Sequence, residues 1–276
     1  MSITNILQDK ARESADARKK LGDIITLEGF TQTIVIIAVL VAIVGYINQH
    51  GWLLNATNVL GDFYANVSSE LLSIIVTVLV LERLNARRQD EQEKRRLIAL
   101  LGSNEAVVTK IAIAELRARG WLEDGTLAGI DLIRANLEGA YLRGADLRKA
   151  DLRRANFTKA DLYHATLSNA GLFRANLTKA KLNNIDLRNS ELKRANLSGA
   201  NLFGANLRSS ILENANLSNT LLWNVNLSNA NLKNADLTDA IFDETILPDK
   251  TVWTPDTDMT RFTNPEHPDF WSPEDN

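Results

Sequence analysis

Residues 150–159 read Ala150-Asp151-Leu152-Arg153-Arg154-Ala155-Asn156-Phe157-Thr158-Lys159, and this five-residue beat decides the fold. From Leu132 to Leu247 every fifth residue is Leu, or Phe at 157 and 242. Two residues before each stands Ala, except at Ile130, Ile185, Ser190, Ser210, Thr220, Val225 and Thr245. Asp or Asn usually lies between the two. In an α-helix, steps of five scatter the leucines around the axis. In a flat strand, an odd period sends alternate leucines to opposite faces. A chain that turns a corner every five residues avoids both. Ala and Leu then point inward together, Asp or Asn points out, and the two residues after Leu make the corner. Pairs such as Arg-Lys, Thr-Lys, Ser-Asn and Ser-Gly stand there, several with residues that turns prefer.

A second period counts the corners. Arg134-Ala135-Asn136-Leu137 recurs at Arg154, Arg174 and Arg194, with weaker echoes from Asn214 and Asn234. A spacing of twenty makes four corners per coil. The pattern A-(D/N)-L-x-x resembles the pentapeptide-repeat family. The resemblance implies a mainly β fold, a right-handed quadrilateral β-helix. Six coils at a spacing of about 4.8 Å would make a rod of roughly 29 Å. Asn136, Asn156, Asn176, Asn196 and Asn216, continued by Asp236, fall on one edge and are expected to form a side-chain amide ladder along the stack.

The rest of the chain divides around this rod. Residues 1–28 are polar and mixed in charge, as a short surface helix would be. Residues 29–82 read as an α-helical transmembrane hairpin. Its first span is Phe30–Ile47 and its second is Phe63–Leu81, whose apolar part, Leu71–Leu81, is interrupted only by Ser73 and Thr77 and is short. Lys and Arg precede the first span and follow the second, and none stands from Asn48 to Ser69. That asymmetry places both termini and the repeats in the cytoplasm, beneath the inner (plasma) membrane. Trp52, Phe63 and Tyr64 suit the outer interface. Glu70 is the one acid at membrane depth, and it lies near the outer end, within reach of the interface.

Residues 83–126 form a helical neck and an N-terminal cap. Gly102-Ser103 breaks the neck helix, Ser103 is placed to N-cap a second helix over roughly 104–119, and Gly120 is a natural stop. The segment from Leu116 through Gly120-Trp121-Leu122 to Asp124-Gly125 resembles the stretch that precedes the repeats in bacterial pentapeptide proteins with an N-terminal two-span hairpin. The repeats occupy 127–247. An irregular tail, 248–276, resembles the exit segment of the same subgroup, with Lys250 where glycine is usual. It carries Trp253, Phe262, Phe270 and Trp271, which a polar tail keeps for docking.

No catalytic site is legible, and the chain is read as non-enzymatic. There is no Cys, so no disulfide and no thiolate metal site. His50, His164 and His267 lie far apart, and no phosphate loop, nucleophile elbow or isolated carboxylate pair is present. No cofactor and no metal site are expected. Two surfaces stand out. Phe203, Leu221, Trp223 and Ile241 fall on one side of the far coils and make an apolar patch. The tail, tethered beside it, is expected to cover it, with Trp253 or Phe262 on Trp223. Arg134, Arg154, Arg174 and Arg194 make a basic stripe, read first as guanidinium groups stacked near acids. The expected role is a membrane-anchored scaffold presenting the rod to an unknown protein partner or to its own copy. The alternative is a DNA mimic acting on a topoisomerase, or a nucleic-acid binder. A mimic needs an acidic rod, whereas Leu127–Leu247 holds 15 Lys and Arg against 12 Asp and Glu, a net of +3.

Overall fold

The computed structural model describes Ile43 and residues 58–273. The chain divides into two compact units, Met1–Asp90 and Glu91–Asn276. Helix α1, Asn58–Leu101, begins in the first and ends in the second. Within the first unit Ile74, Val76, Leu79, Val80, Leu81 and Leu84 are exposed on α1, and Ile75 is buried.

The two-span hairpin needs correcting against this picture. Among the described residues, no helix is long and apolar enough to cross a membrane. The second apolar segment is helical but is part of α1. Its apolar stretch, after Ser69 and Glu70, falls short of the roughly 20 residues a bilayer core requires. Apart from Ile43, the first segment, the 1–28 segment and Trp52 lie outside the described residues.

In the second unit, the repeats wind into a four-sided solenoid. Parallel bridges join the outward residue of each five to the one twenty positions on, as in Asp131↔Asp151, Asn136↔Asn156, Tyr141↔Asp161 and Asp146↔Thr166. Only the last two coils hold longer strands, β1 (Leu221–Trp223) and β2 (Ile241–Asp243), paired Leu221↔Ile241. The inward leucines from Leu132 to Leu232, with Phe157, are 0–2% exposed. The inward exceptions satisfy their hydroxyls: Ser190 and Ser210 each donate to a carbonyl at 2.7 Å, Leu187 O and Leu207 O.

Most corners are tight turns closed by a backbone bond, as Ala135 N–H donates to Leu132 O at 3.1 Å. The second central residue has φ near +60°, as at Arg134 (61°) and Asn169 (60°), while the first does not, which is the type II pattern. The outward Asp or Asn holds the corner. Its Oδ1 accepts the backbone N–H two residues on: Ile133 to Asp131 at 3.0 Å, Thr178 to Asn176 at 3.1 Å, Ser218 to Asn216 at 2.9 Å. The amide ladder is therefore only partial. Asn156 Nδ2 donates to Asn136 Oδ1 at 3.2 Å, but Asn176 Nδ2 turns to Thr158 Oγ1 at 2.9 Å. The amides hold corners first and neighbours second.

Both ends are closed. Helix α2, Ala106–Ala118, lays Ala112, Ile113 and Leu116 over the first coil. Its N-cap is Glu105, not Ser103; the Ser103 Oγ accepts Glu105 N–H one step earlier, at 3.1 Å. Gly120 (φ 73°) ends it in a Schellman motif, with Trp121 N–H on Leu116 O at 2.9 Å and Gly120 N–H on Arg117 O at 3.0 Å. The cap also pairs the first strand edges. Asn136 N–H donates to Ser103 O at 3.1 Å, Thr109 Oγ1 to Asn136 O at 2.7 Å, and Asp146 N–H to Leu122 O at 2.8 Å. At the far end the tail folds across the last coil. Ile246 bridges Val252 antiparallel, Trp253 stacks on Phe242 at 5.6 Å, and Asn234 N–H donates to Thr263 O at 2.7 Å. Helix α3, Thr260–Thr263, buries Phe262. Lys250 adopts φ 72°, so the turn forms without glycine.

Leu187→Ala, fully buried mid-stack, should cost about 2–5 kcal/mol in urea unfolding. Arg188→Ala, an exposed partner of Asp186 at 2.8 Å, should cost no more than about 1 kcal/mol. Acid should weaken the rod in a defined window. The Arg148 and Arg153 guanidinium groups hold the Asp146 and Asp151 carboxyls below the usual carboxylate range. A carboxyl depressed in the folded state stabilises above its unfolded pKa, about 3.9, and that contribution is lost as pH falls through the folded value. Stability should stay level from neutral pH to about pH 5 and fall below about pH 4. Asp146→Asn with Asp151→Asn, which keeps both corner acceptors, should flatten that fall.

Candidate interaction surface

The side carrying Tyr141, Asp161, Lys181, Asn201, Leu221 and Ile241 changes character along the rod. These six stand in register, each bridged or strand-paired to the next. At the near end Arg143 pairs with Asp161 at 3.1 Å and lies over the Tyr141 and Tyr163 rings at 5.4 and 4.9 Å. Arg117 of α2 also lies over the Tyr141 ring, at 4.9 Å. The far end is apolar. Phe203, Trp223 and Ile241 are 41%, 42% and 53% exposed, and Leu221 is half-buried between them. Gly204 N–H donates to Trp223 O at 3.0 Å, which fixes Phe203 and Trp223 on neighbouring coils.

The tail does not cover this patch. Trp253 stacks on Phe242 and Phe262 packs edge-on against Trp271 at 6.1 Å, so both aromatics serve the end of the stack. The reason is that the last coil has no successor. Leu237, Ala240 and Phe242 would otherwise be bare, and covering them removes more apolar surface than covering a flank.

The basic stripe stands along one edge, but not as guanidinium groups paired with acids. Arg134, Arg154, Arg174 and Arg194 are the left-handed corner residues of one edge, all exposed. Among the described residues none of them ion-pairs; Arg174 lies over the Phe173 ring at 5.2 Å. Of the acids beside that edge, Asp151 pairs with Arg153 at 2.6 Å and Glu213 with Lys193 at 2.8 Å, while Asp131 and Glu191 stand exposed without an ion pair among the described residues.

An open groove of about 840 Å³ crosses the Asp146 side. Small Thr166 and Ser168 form its floor between Asp146–Arg148 and Asp186–Arg188 pairs, at 2.7 and 2.8 Å. Two of its carboxylates, Asp146 and Asp186, are held by Arg148 and Arg188, and Glu123 and Lys149 complete its lining. Among the described residues no cluster of three or more His, Cys, Asp or Glu could hold a metal ion. His164 sits at a corner (φ 56°), its ring edge-on to Tyr163 at 4.2 Å. Glu70 is exposed on α1.

Comparison with known proteins follows the repeats alone. The model of a family described as pentapeptide repeats matches residues 130–170, 171–208 and 210–247. No curated protein matches the chain. Among solved structures, QnrB1, a plasmid-mediated fluoroquinolone resistance protein, is 22% identical over 44% of this chain and 64% of that one, with a TM-score of 0.41. Rfr23 from the cyanobacterium Cyanothece 51142 is 35% identical over 43% of this chain and 64% of that one, with a TM-score of 0.19. A protein from the Arabidopsis thaliana thylakoid lumen is 32% identical over 42% of this chain and 73% of that one, with a TM-score of 0.20. The chain thus spans 64% of the length of each of the first two. Through residues 130–247, the chain belongs to the pentapeptide-repeat family.

Proposed function

We propose that this protein is a non-enzymatic, membrane-anchored scaffold that presents a rigid rod to a cytoplasmic protein partner. The observation that carries the reading is the far end of the Tyr141 side. Phe203, Trp223 and Ile241 stand exposed together although the aromatic tail lies close enough in sequence to have covered them. Exposed apolar side chains on adjacent coils of a rigid frame lose little entropy on docking, which favours recognition. The reading of an anchor rests on the exposed apolar side chains Ile74, Val76, Leu79, Val80 and Leu81 of α1 and on the Lys/Arg asymmetry of the sequence. A topoisomerase-directed mimic is disfavoured by the unpaired arginines of the stripe, which a surface imitating phosphates would not carry.

Affinity capture from detergent-solubilised membranes tests the scaffold. The wild-type chain should retain a partner that Phe203→Ala with Trp223→Ala loses, because buried aromatics dominate interfaces. Capture of topoisomerase subunits, equally by both chains, would overturn the assignment. Topology is tested separately in this Cys-free chain. An impermeant thiol reagent on intact cells should label Asn55→Cys and spare Asn229→Cys. Labelling of the second alone would invert the arrangement.

A further inference from the structure

The side bearing Asn136 is flat, neutral at its centre and cationic at both edges. Its centre is the amide and hydroxyl lattice, in which Asn156 accepts the Thr158 hydroxyl and Asn176 the Thr178 hydroxyl, both at 2.6 Å. One edge is Arg134, Arg154, Arg174 and Arg194. The other is Lys159 and Lys179, with the Lys110 ammonium of α2 beside Gly139. None of these cations ion-pairs among the described residues. One exposed acid, Glu138, stands on this side at the near end, and Asp236 and Asp239 at the far end.

The backbone makes this arrangement informative. Every one of these edge Arg and Lys positions within the repeats has φ between 56° and 61°, a conformation that suits Gly and Asn best. The same two columns use Asn214, Asn234, Asn219, Gly139 and Gly199 elsewhere. Arg and Lys therefore occupy these corners against backbone preference, and among the described residues none of them gains an ion pair by doing so.

We propose that this side is a contact surface for an anionic phospholipid bilayer, the lipid phosphates meeting the two cationic edges; the inference rests on the membrane location proposed above. Cations along both edges of a flat side match a planar array of phosphates, and the one hollow beside them, about 310 Å³ at Arg134, Arg154 and Phe173, is open to the same edge. A nucleic acid fits less well. Single strands are held by stacking on successive aromatic rings, and the ring at this edge, Phe173, is half-buried with Arg174 over it at 5.2 Å; a duplex is read by an element that enters a groove, and a flat side meets only a narrow strip of a cylinder.

The test uses the full chain reconstituted into vesicles of phosphatidylcholine, or of phosphatidylcholine with phosphatidylglycerol. A fluorophore is placed at Ser198→Cys on this side or Ser228→Cys on the opposite side, and the lipid headgroups carry a quencher. The Ser198 probe should be quenched in the anionic vesicles only, and high salt should reverse the quenching. The Ser228 probe should not respond. Arg134→Asn, Arg154→Asn, Arg174→Asn and Arg194→Asn together should reduce the Ser198 signal to its level in neutral vesicles. Folding should survive, because Asn214 and Asn234 already fill this column. Equal quenching at both probes, or quenching that survives the four substitutions, overturns the proposal. So does binding of a labelled DNA duplex that the four substitutions abolish. If high salt releases the chain from the vesicles, the anchor fails. If the chain stays and Ser198 never responds, the contact surface fails.

Discussion

Every fifth residue of the rod must place its backbone in the left-handed region, and the rest of the structure depends on that corner. The turn brings Ala and Leu back to the interior at each step, so the core continues without a gap from Leu127 to Leu232. It aligns each coil's N–H and C=O groups with the next, as in Leu137 N–H to Asn156 O at 2.8 Å and Asn156 N–H to Ala135 O at 2.9 Å. A left-handed L-residue costs roughly 1–2 kcal/mol. Three returns offset it: the turn bond, the Asx acceptor and the buried leucine. The stack is cooperative because no coil completes these bonds alone.

The constraint explains what the sequence disclosed and what it did not. The period was legible because burial acts at the same step in every coil, so the inward columns at Leu and Ala hardly vary. The role of Asp and Asn was only half legible. Their outward direction follows from alternation, but that Oδ1 holds the corner follows from backbone positions that composition does not reveal. The signal was present in the near-equivalence of Asp and Asn at these sites. A carboxylate and an amide share an acceptor oxygen, and little else would make them interchangeable.

The ends were harder to read because they break the period. The helix that closes the first coil was visible from its spacing and from Gly120, while its start was misplaced because Ser103 bonds one step before Glu105. The tail aromatics were correctly expected to dock, yet on the wrong surface. Sequence shows that Trp253 lies near Trp223, but not that the last coil leaves Phe242 bare. The apolar patch and the cationic side are what remains once the core, the corners and both caps have taken the residues they need. Function is read from those two surfaces, one apolar at the far coils and one basic at the near coils.

The corner account is tested most directly by urea unfolding of two substitutions at one left-handed position, Arg174→Asn and Arg174→Val (φ 58°). Asn tolerates this conformation and a β-branched side chain does not. The account predicts that the Asn variant is at least as stable as the wild type and that the Val variant is less stable by about 1–2 kcal/mol. Equal stability of the Asn and Val variants would contradict it.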